Sequence, residues 1–114
     1  MDYWTIKYYK TDSGKIPVLD YMELQEPERI IKIRNALRLL KEFGIEGSQI
    51  DARKIHGDKY KGLYELRIDS SRILYFLITG KIFVLVHGFT KKSNKTPKQE
   101  LETARRRMKD YLGD

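Results

Sequence analysis

The chain has 114 residues, no cysteine, and 23 lysines and arginines against 16 aspartates and glutamates, for a net charge of +7. That length suits about one domain, read here as a single unit over 1–114. Without cysteine, neither a disulfide framework nor a thiolate metal site can hold it together, which suits a reducing cytoplasm.

The positive excess favours polyanionic partners, nucleic acid first and an acidic protein second, because neutralising phosphates releases counterions. The same excess also lies within the range that solubility alone explains. The N-terminal MDYWTIKYYK carries no apolar run of signal-peptide length, and the longest apolar run, around Ile82 to Val86, is too short to cross a bilayer. A soluble cytoplasmic protein without membrane contact is the expectation.

Trp4, Ile6 and Tyr8 alternate with Thr5, Lys7 and Tyr9, the period of a half-buried strand. Thr11-Asp12-Ser13-Gly14 then reads as a turn. Pro17 opens a short helix with Val18, Tyr21 and Met22 on one face, and Pro27 opens a longer one that Gly44 ends as a left-handed cap. In the longer helix Ile30, Ile33, Leu37, Leu40 and Phe43 recur at steps of three and four, leaving Arg29, Lys32, Arg34, Arg38 and Lys41 as a basic outer face. Such a face is ordinarily solvated, although it also suits an adjacent RNA.

Gly44 to Asp51 reads as a loop, and Arg53-Lys54-Ile55-His56-Gly57 as a short strand or extended lead-in. It enters the stretch around which the chain is organised, Tyr60 to Lys92. There the apolar runs Leu63 to Ile68, Ile73 to Thr79 and Ile82 to His87 are separated by Asp69-Ser70-Ser71 and Gly80-Lys81, which predicts two antiparallel hairpins in succession. In the first run Tyr64, Leu66 and Ile68 alternate with Glu65, Arg67 and Asp69, predicting one wet face. The other two runs have no polar face, as expected of central strands covered by the two proline-opened helices. Thr96-Pro97-Lys98-Gln99 predicts an N-cap threonine, a first-turn proline and a capping-box glutamine for a last helix. Leu101, Ala104, Met108 and Tyr111 step along one face of it, beside Arg105, Arg106, Arg107 and Lys109. The expected fold is α+β: an antiparallel, mostly meander, four-stranded sheet, the first strand being the fourth member, packed by two N-terminal helices and followed by a C-terminal helix.

No metal-ligand spacing, Walker loop, GxSxG or GxGxxG occurs, so no cofactor is expected. What stands out is a set of cations near strand ends: Arg53, Lys54 and His56 before the meander, Arg67 and Arg72 flanking its first turn, and His87, Lys91 and Lys92 after its last strand. Metal-free RNA cleavage needs a base for the 2′-hydroxyl proton, a charge clamp on the phosphorane and an acid for the leaving 5′-oxygen. Lysine and arginine suit the clamp, and histidine titrates nearest neutrality. Each also has an ordinary structural role. Arg67 can pair with a nearby carboxylate, His87 can be a satisfied strand-end histidine, and Lys91 and Lys92 can be solvated loop charges. Tyr64 and Tyr75 suit a core as well as a base-stacking platform. Arg72, at the mouth of an apolar strand, points more to function.

Leu63-Tyr64-Glu65-Leu66-Arg67, then Arg72-Ile73-Leu74-Tyr75, then Val86-His87-Gly88-Phe89-Thr90-Lys91-Lys92 with Thr96-Pro97 and a helix carrying Glu102, Ala104 and Arg107 together resemble the phage-derived HigB-like branch of the RelE/ParE toxin superfamily. The resemblance implies a toxin that cuts messenger RNA on the translating ribosome and is neutralised by a cognate antitoxin, acidic or with a helix-turn-helix domain. By position it matches Arg67, Arg72, Lys54 and one of Lys91 and Lys92 to the family's basic residues; the expected roles are phosphate binding and charge stabilisation by Arg67, Arg72 and Lys92, with His87, the histidine nearest this set, or Lys54 moving protons and His56, Lys91, Arg53 and Tyr64 contacting RNA. The RelE pattern has a lysine where Glu65 stands, and Tyr111 lies too late to match its C-terminal tyrosine. Two other readings remain open: a ParE-like inhibitor that binds DNA gyrase, and an inactive basic RNA-binding module.

Overall fold

The computed structural model describes residues 4–46, 49–93 and 95–113. Parts of the N-terminal run, of the expected loop at 47–48 and of the polar segment at 94 lie outside these. Among the described residues, β1 (Thr5–Tyr8) leads to α1 (Pro17–Glu23) and α2 (Pro27–Phe43). Then come β2 (Asp51–Lys54), β3 (Leu63–Ile68), β4 (Ser71–Ile78), β5 (Ile82–Thr90) and α3 (Lys98–Leu112). Both prolines open their helices as expected, at the position where a missing N–H costs nothing.

The sheet has five strands in the order β1-β5-β4-β3-β2, not four. β3, β4 and β5 form the expected meander, and β2 adds a fourth antiparallel member at one edge. β1 runs parallel to β5 at the other edge, with Thr5 opposite Ile82 and Tyr8 opposite Leu85, so the sheet is mixed. Its two turning residues Asp69 and Ser70 leave Ser71 and Arg72 inside β4, where they pair with Thr90 and Phe89. β5 therefore continues past His87 to Thr90.

Both faces of the sheet are covered. On one, Val18, Met22, Ile33, Leu37 and Leu40 from α1 and α2 pack on Leu66, Ile73, Tyr75, Phe83 and Leu85. On the other, Ala104 of α3, flanked by Leu101 and Met108, packs on Leu63, Leu74, Phe76, Val84, Val86 and Phe89. The two N-terminal helices alone are thus not the cover; the unbroken apolar runs of β4 and β5 reflect burial on both sides. A register shift between Leu74 and Tyr75 leaves Val86 as an extra residue, a bulge that turns both Val86 and His87 toward α3.

Local details depart from the periodic reading. Phe43 ends the apolar stripe of α2 yet is 52% exposed, while Leu39 is buried. Gly44 ends the helix at the positive φ of 73 that favours glycine, but its ψ of −169 lies outside the left-handed helical basin. A Cβ there would come within 2.8 Å of the Trp4 ring, and Trp4 N–H donates to Lys41 O at 3.0 Å, so the indole seals the end of α2. Pro97, not Thr96, is the N-cap of α3, and no side-chain cap bond forms there.

Gly88 is a second close approach. A Cβ at this position would lie 2.7 Å from the Tyr21 ring, whose hydroxyl is fixed to Ser71 Oγ at 2.8 Å and Thr90 Oγ1 at 2.7 Å. Held at its far end, the ring cannot swing aside freely. Gly88→Ala is therefore expected to cost about 1–3 kcal/mol of stability, the usual overpacking range, read as a lower urea midpoint. An unchanged midpoint would show that Tyr21 is not held.

Candidate functional site

Residues opposite one another in neighbouring strands point to the same side of a sheet, so the registers sort the candidates by face. Arg67 lies opposite Arg72, Glu65 opposite Leu74, and Leu74 opposite His87. With Leu63, Leu74 and Phe89 in the α3-side core, this set shares the α3 face. Arg53 lies opposite Glu65 on that face as well, exposed and bonded through Nε to Asp51 Oδ1 at 3.0 Å. Lys54 lies opposite Tyr64, whose ring stacks on Tyr75 at 5.6 Å beside the α1 and α2 core. The two are on the reverse face, away from Arg67 and Arg72. His56 is exposed in the segment after β2.

The α3 face of β3 is not wet. Glu65 is 3% exposed and is held from three directions. Arg67 Nε donates to its Oε2 at 3.1 Å, Arg72 Nε lies 3.4 Å from its Oε1, and Thr96 Oγ1 donates to Oε1 at 3.2 Å. A carboxylate this deep needs such partners, because desolvation otherwise drives it neutral.

The two arginines differ in what they leave available. Arg72 is mostly buried, and its NH1 donates to the carbonyls of Asp69 at 2.6 Å and Ser71 at 3.0 Å, closing the β3–β4 turn. Arg67 has only its Nε engaged among the described residues, and a quarter of its side chain is exposed. Its two terminal nitrogens form an open fork, the geometry that matches a phosphate or carboxylate.

That fork borders an open groove of about 600 Å³ lined by Arg67, Asp69, Ser70, Arg72, Lys91, Lys92 and Ser93. Lys91 N–H donates to Ser70 O at 2.7 Å, which ties the segment after β5 to the turn. Asp69, the acid of this wall, is engaged by Lys32 at 2.8 Å, and that bond holds its carboxyl below the usual carboxylate range. Arg29 bonds Ser70 at 3.1 Å and Ser71 at 2.9 Å. Two cations of the outer face of α2 therefore brace the turn from behind.

His87 stands apart from the groove, its ring stacked on Phe89 with centroids 5.6 Å apart. Arg107 NH1 lies 3.0 Å from Nδ1 and donates to Val86 O at 2.9 Å, while Nε2 is 3.3 Å from Glu100 Oε1. A guanidinium can only donate, so Nδ1 accepts and the neutral ring carries its proton on Nε2, toward Glu100. Nε2 makes no hydrogen bond in this geometry, but as the protonated nitrogen it offers no lone pair, and Nδ1 is taken by Arg107, so neither is free to accept a proton from a substrate hydroxyl. Glu65, Thr96, Glu100 and Arg107, none of them among the expected site residues, hold these side chains in place. A visible signal existed for Glu65: a carboxylate two positions before one arginine, on the same strand face, with a second arginine just past the short turn and opposite the first.

Burial pushes the His87 imidazole below its ordinary value; Glu100 opposes this and Arg107 adds to it. Between that lowered pKa and about 6.5 the unfolded chain holds more protons than the folded one. The contribution of His87 to stability is therefore intact above about pH 6.5 and is lost as pH falls below it. Urea unfolding across this range is expected to show His87→Gln losing stability less steeply with acidification than the parent. Equal slopes would show that His87 does not fold as the buried neutral form.

The sequence matches the profile of the phage-derived Gp49-like protein family over residues 20–109. Comparison with curated proteins yields no match. Among solved structures, a chain of the archaeal RelE–RelB complex from Pyrococcus horikoshii OT3 superposes with a TM-score of 0.58 at 15% identity, covering 80% of this chain and 97% of that one. At that identity the likeness is one of fold: a RelE-like sheet with helices on both faces. The matched span takes in the end of α1, all of α2 and β2 to β5, and most of α3, and on that ground the chain belongs to the phage-derived Gp49-like family.

Proposed function

We propose that this protein is the toxin of a type II toxin–antitoxin pair and that it cleaves messenger RNA on the ribosome without a metal ion. The observation that carries the reading is the open guanidinium fork of Arg67 beside Lys91 and Lys92, in a groove whose acid Asp69 is engaged elsewhere. Clustered cations with unengaged donors suit a phosphodiester, and they can stabilise the charge of the phosphorane. Membership in the Gp49-like family and the RelE-like fold support the toxin assignment. The named RelE–RelB assembly supports a cognate antitoxin, for which an acidic segment over this groove is the complementary chemistry.

The geometry supports the following assignment of roles. Arg67 and Lys92 clamp the phosphate, Lys91 steers RNA into the groove, and Arg72 holds the turn that carries them. His87 fixes α3 to the sheet through Arg107 and Glu100 rather than moving a substrate proton, and Lys54, on the reverse face, lies outside the site. The catalytic contribution of the groove is then electrostatic: it binds, orients and stabilises charge.

Brief expression is expected to arrest growth and to generate new transcript 5′ ends inside translated messages. Arg67→Ala, which keeps Arg72 and Thr96 beside Glu65 Oε1 but strips Oε2 of Arg67, should reduce these ends about 100-fold, the usual loss for one transition-state donor, and cost about 1–3 kcal/mol of stability for the buried oxygen left unpaired. Arg72→Ala should lower stability by about 3 kcal/mol, the low end for breaking a buried pair. Growth arrest with intact messages would overturn the cleavage reading in favour of a gyrase inhibitor, which a supercoiling assay detects.

A further inference from the structure

Glu65 invites a simple electrostatic expectation. A negative charge next to a phosphate-binding groove should oppose RNA, so neutralising it should tighten binding. The contacts argue the opposite. Its Oε2 takes the Nε–H of Arg67, which fixes the plane of the guanidinium and leaves its two terminal nitrogens without a partner among the described residues, on a side chain that lines the groove. Its Oε1 takes Thr96 Oγ–H, in the segment that runs from Lys91 and Lys92 into α3. One buried carboxylate therefore fixes both walls: the arginine fork on β3 and the lysine-bearing segment after β5.

We propose that Glu65 is a positioning residue for an anion site, orienting Arg67 directly and anchoring the Lys91–Lys92 segment through Thr96. It acts through Arg67 and need not touch the RNA. The role rests on the RNA reading only for the identity of the anion; the positioning itself is a property of the free protein. In the absence of Glu65 the Arg67 guanidinium samples many rotamers, and that entropy is lost again whenever an anion binds. The arginine loses more by this than the groove gains from one fewer negative charge, because the charge of Glu65 is already matched at short range by two guanidinium groups.

The test uses the full chain and Glu65→Gln, with Thr96→Val as a milder variant that keeps the carboxylate and its arginines. Side-chain NMR of the free protein reports the Arg67 Nε–H, and a non-cleavable 2′-O-methyl RNA oligonucleotide reports affinity by fluorescence anisotropy. The Nε–H of Arg67 is expected to be protected from water exchange in the parent and to exchange about tenfold faster in Glu65→Gln, as loss of a charge-assisted bond implies. RNA affinity should fall about tenfold in Glu65→Gln despite the added positive charge. In Thr96→Val the salt dependence of RNA binding should lose about one phosphate contact while Arg67 stays protected. Unprotected Arg67 in the parent, or RNA binding by folded Glu65→Gln equal to or tighter than the parent, would overturn the proposal. If Glu65→Gln fails to fold, unchanged affinity and salt slope in Thr96→Val overturn the anchoring of the lysine segment, and the parent Nε–H decides the rest. Protection lost in Glu65→Gln with no RNA binding by the parent would sink the RNA reading and leave the positioning role for another anion.

Discussion

A carboxylate buried to 3% exposure in a chain of net charge +7 sets the terms for the site. Glu65 sits in the middle of β3, and a lone charge there would cost several kcal/mol. The fold answers by bringing Arg67 from two positions along the same strand, Arg72 from the facing strand and Thr96 from the segment after β5. These partners come from three parts of the chain, so satisfying one oxygen pair also fixes the β3–β4 turn, the end of β5 and the approach to α3. The groove is the outer surface of that arrangement.

A similar economy holds behind the turn and along α3. Ser71 is fully buried and is met by Tyr21 and Arg29, so α1 and α2 set the height of the strand end that carries Arg72. On the other side Arg107 bridges Val86 O and His87, and Tyr9 donates to Asp110 at 2.6 Å, so the polar stripe of α3 docks on β5 and on the residue following β1. The apolar stripe of α3 supplies only one fully buried side chain, Ala104. Polar bonds of this kind therefore do much of the orienting of α3, while the methyl-sized contact lets the helix approach closely.

Local elements were legible because their signals are local. Pro17 and Pro27 mark helix starts, and the apolar runs mark the meander, within two residues of the observed ends of β3 and β4 and at the start of β5. The parallel pairing of β1 with β5 was not legible, since it joins residues more than seventy positions apart and leaves no turn to announce it. The end of β5 was missed because Gly88 looks like a breaker; it is in fact the gap through which Tyr21 passes. For the candidate site, the structure gathers Arg67, Arg72, Lys91 and Lys92 around one groove and assigns the two arginines different surroundings from those their sequence positions suggest. Arg72 looked functional because it borders an apolar strand, yet that position makes it the structural member, while Arg67, seemingly a surface charge, keeps the open fork. Thr96 looked like a helix cap and instead serves Glu65, a long-range contact that no capping pattern encodes.

The proposed activity depends on one surface, the groove of Arg67, Lys91 and Lys92 on the α3 face, meeting a phosphodiester backbone. Titration of the isotope-labelled protein with a short non-cleavable single-stranded RNA, followed by the side-chain NMR signals of arginine and lysine, tests this most directly. The prediction is that Arg67, Lys91 and Lys92 shift together and saturably, with Lys54 and the outer face of α2 unmoved. Shifts confined to Lys54, Arg34 and Arg38, or no saturable shift at Arg67, would contradict it.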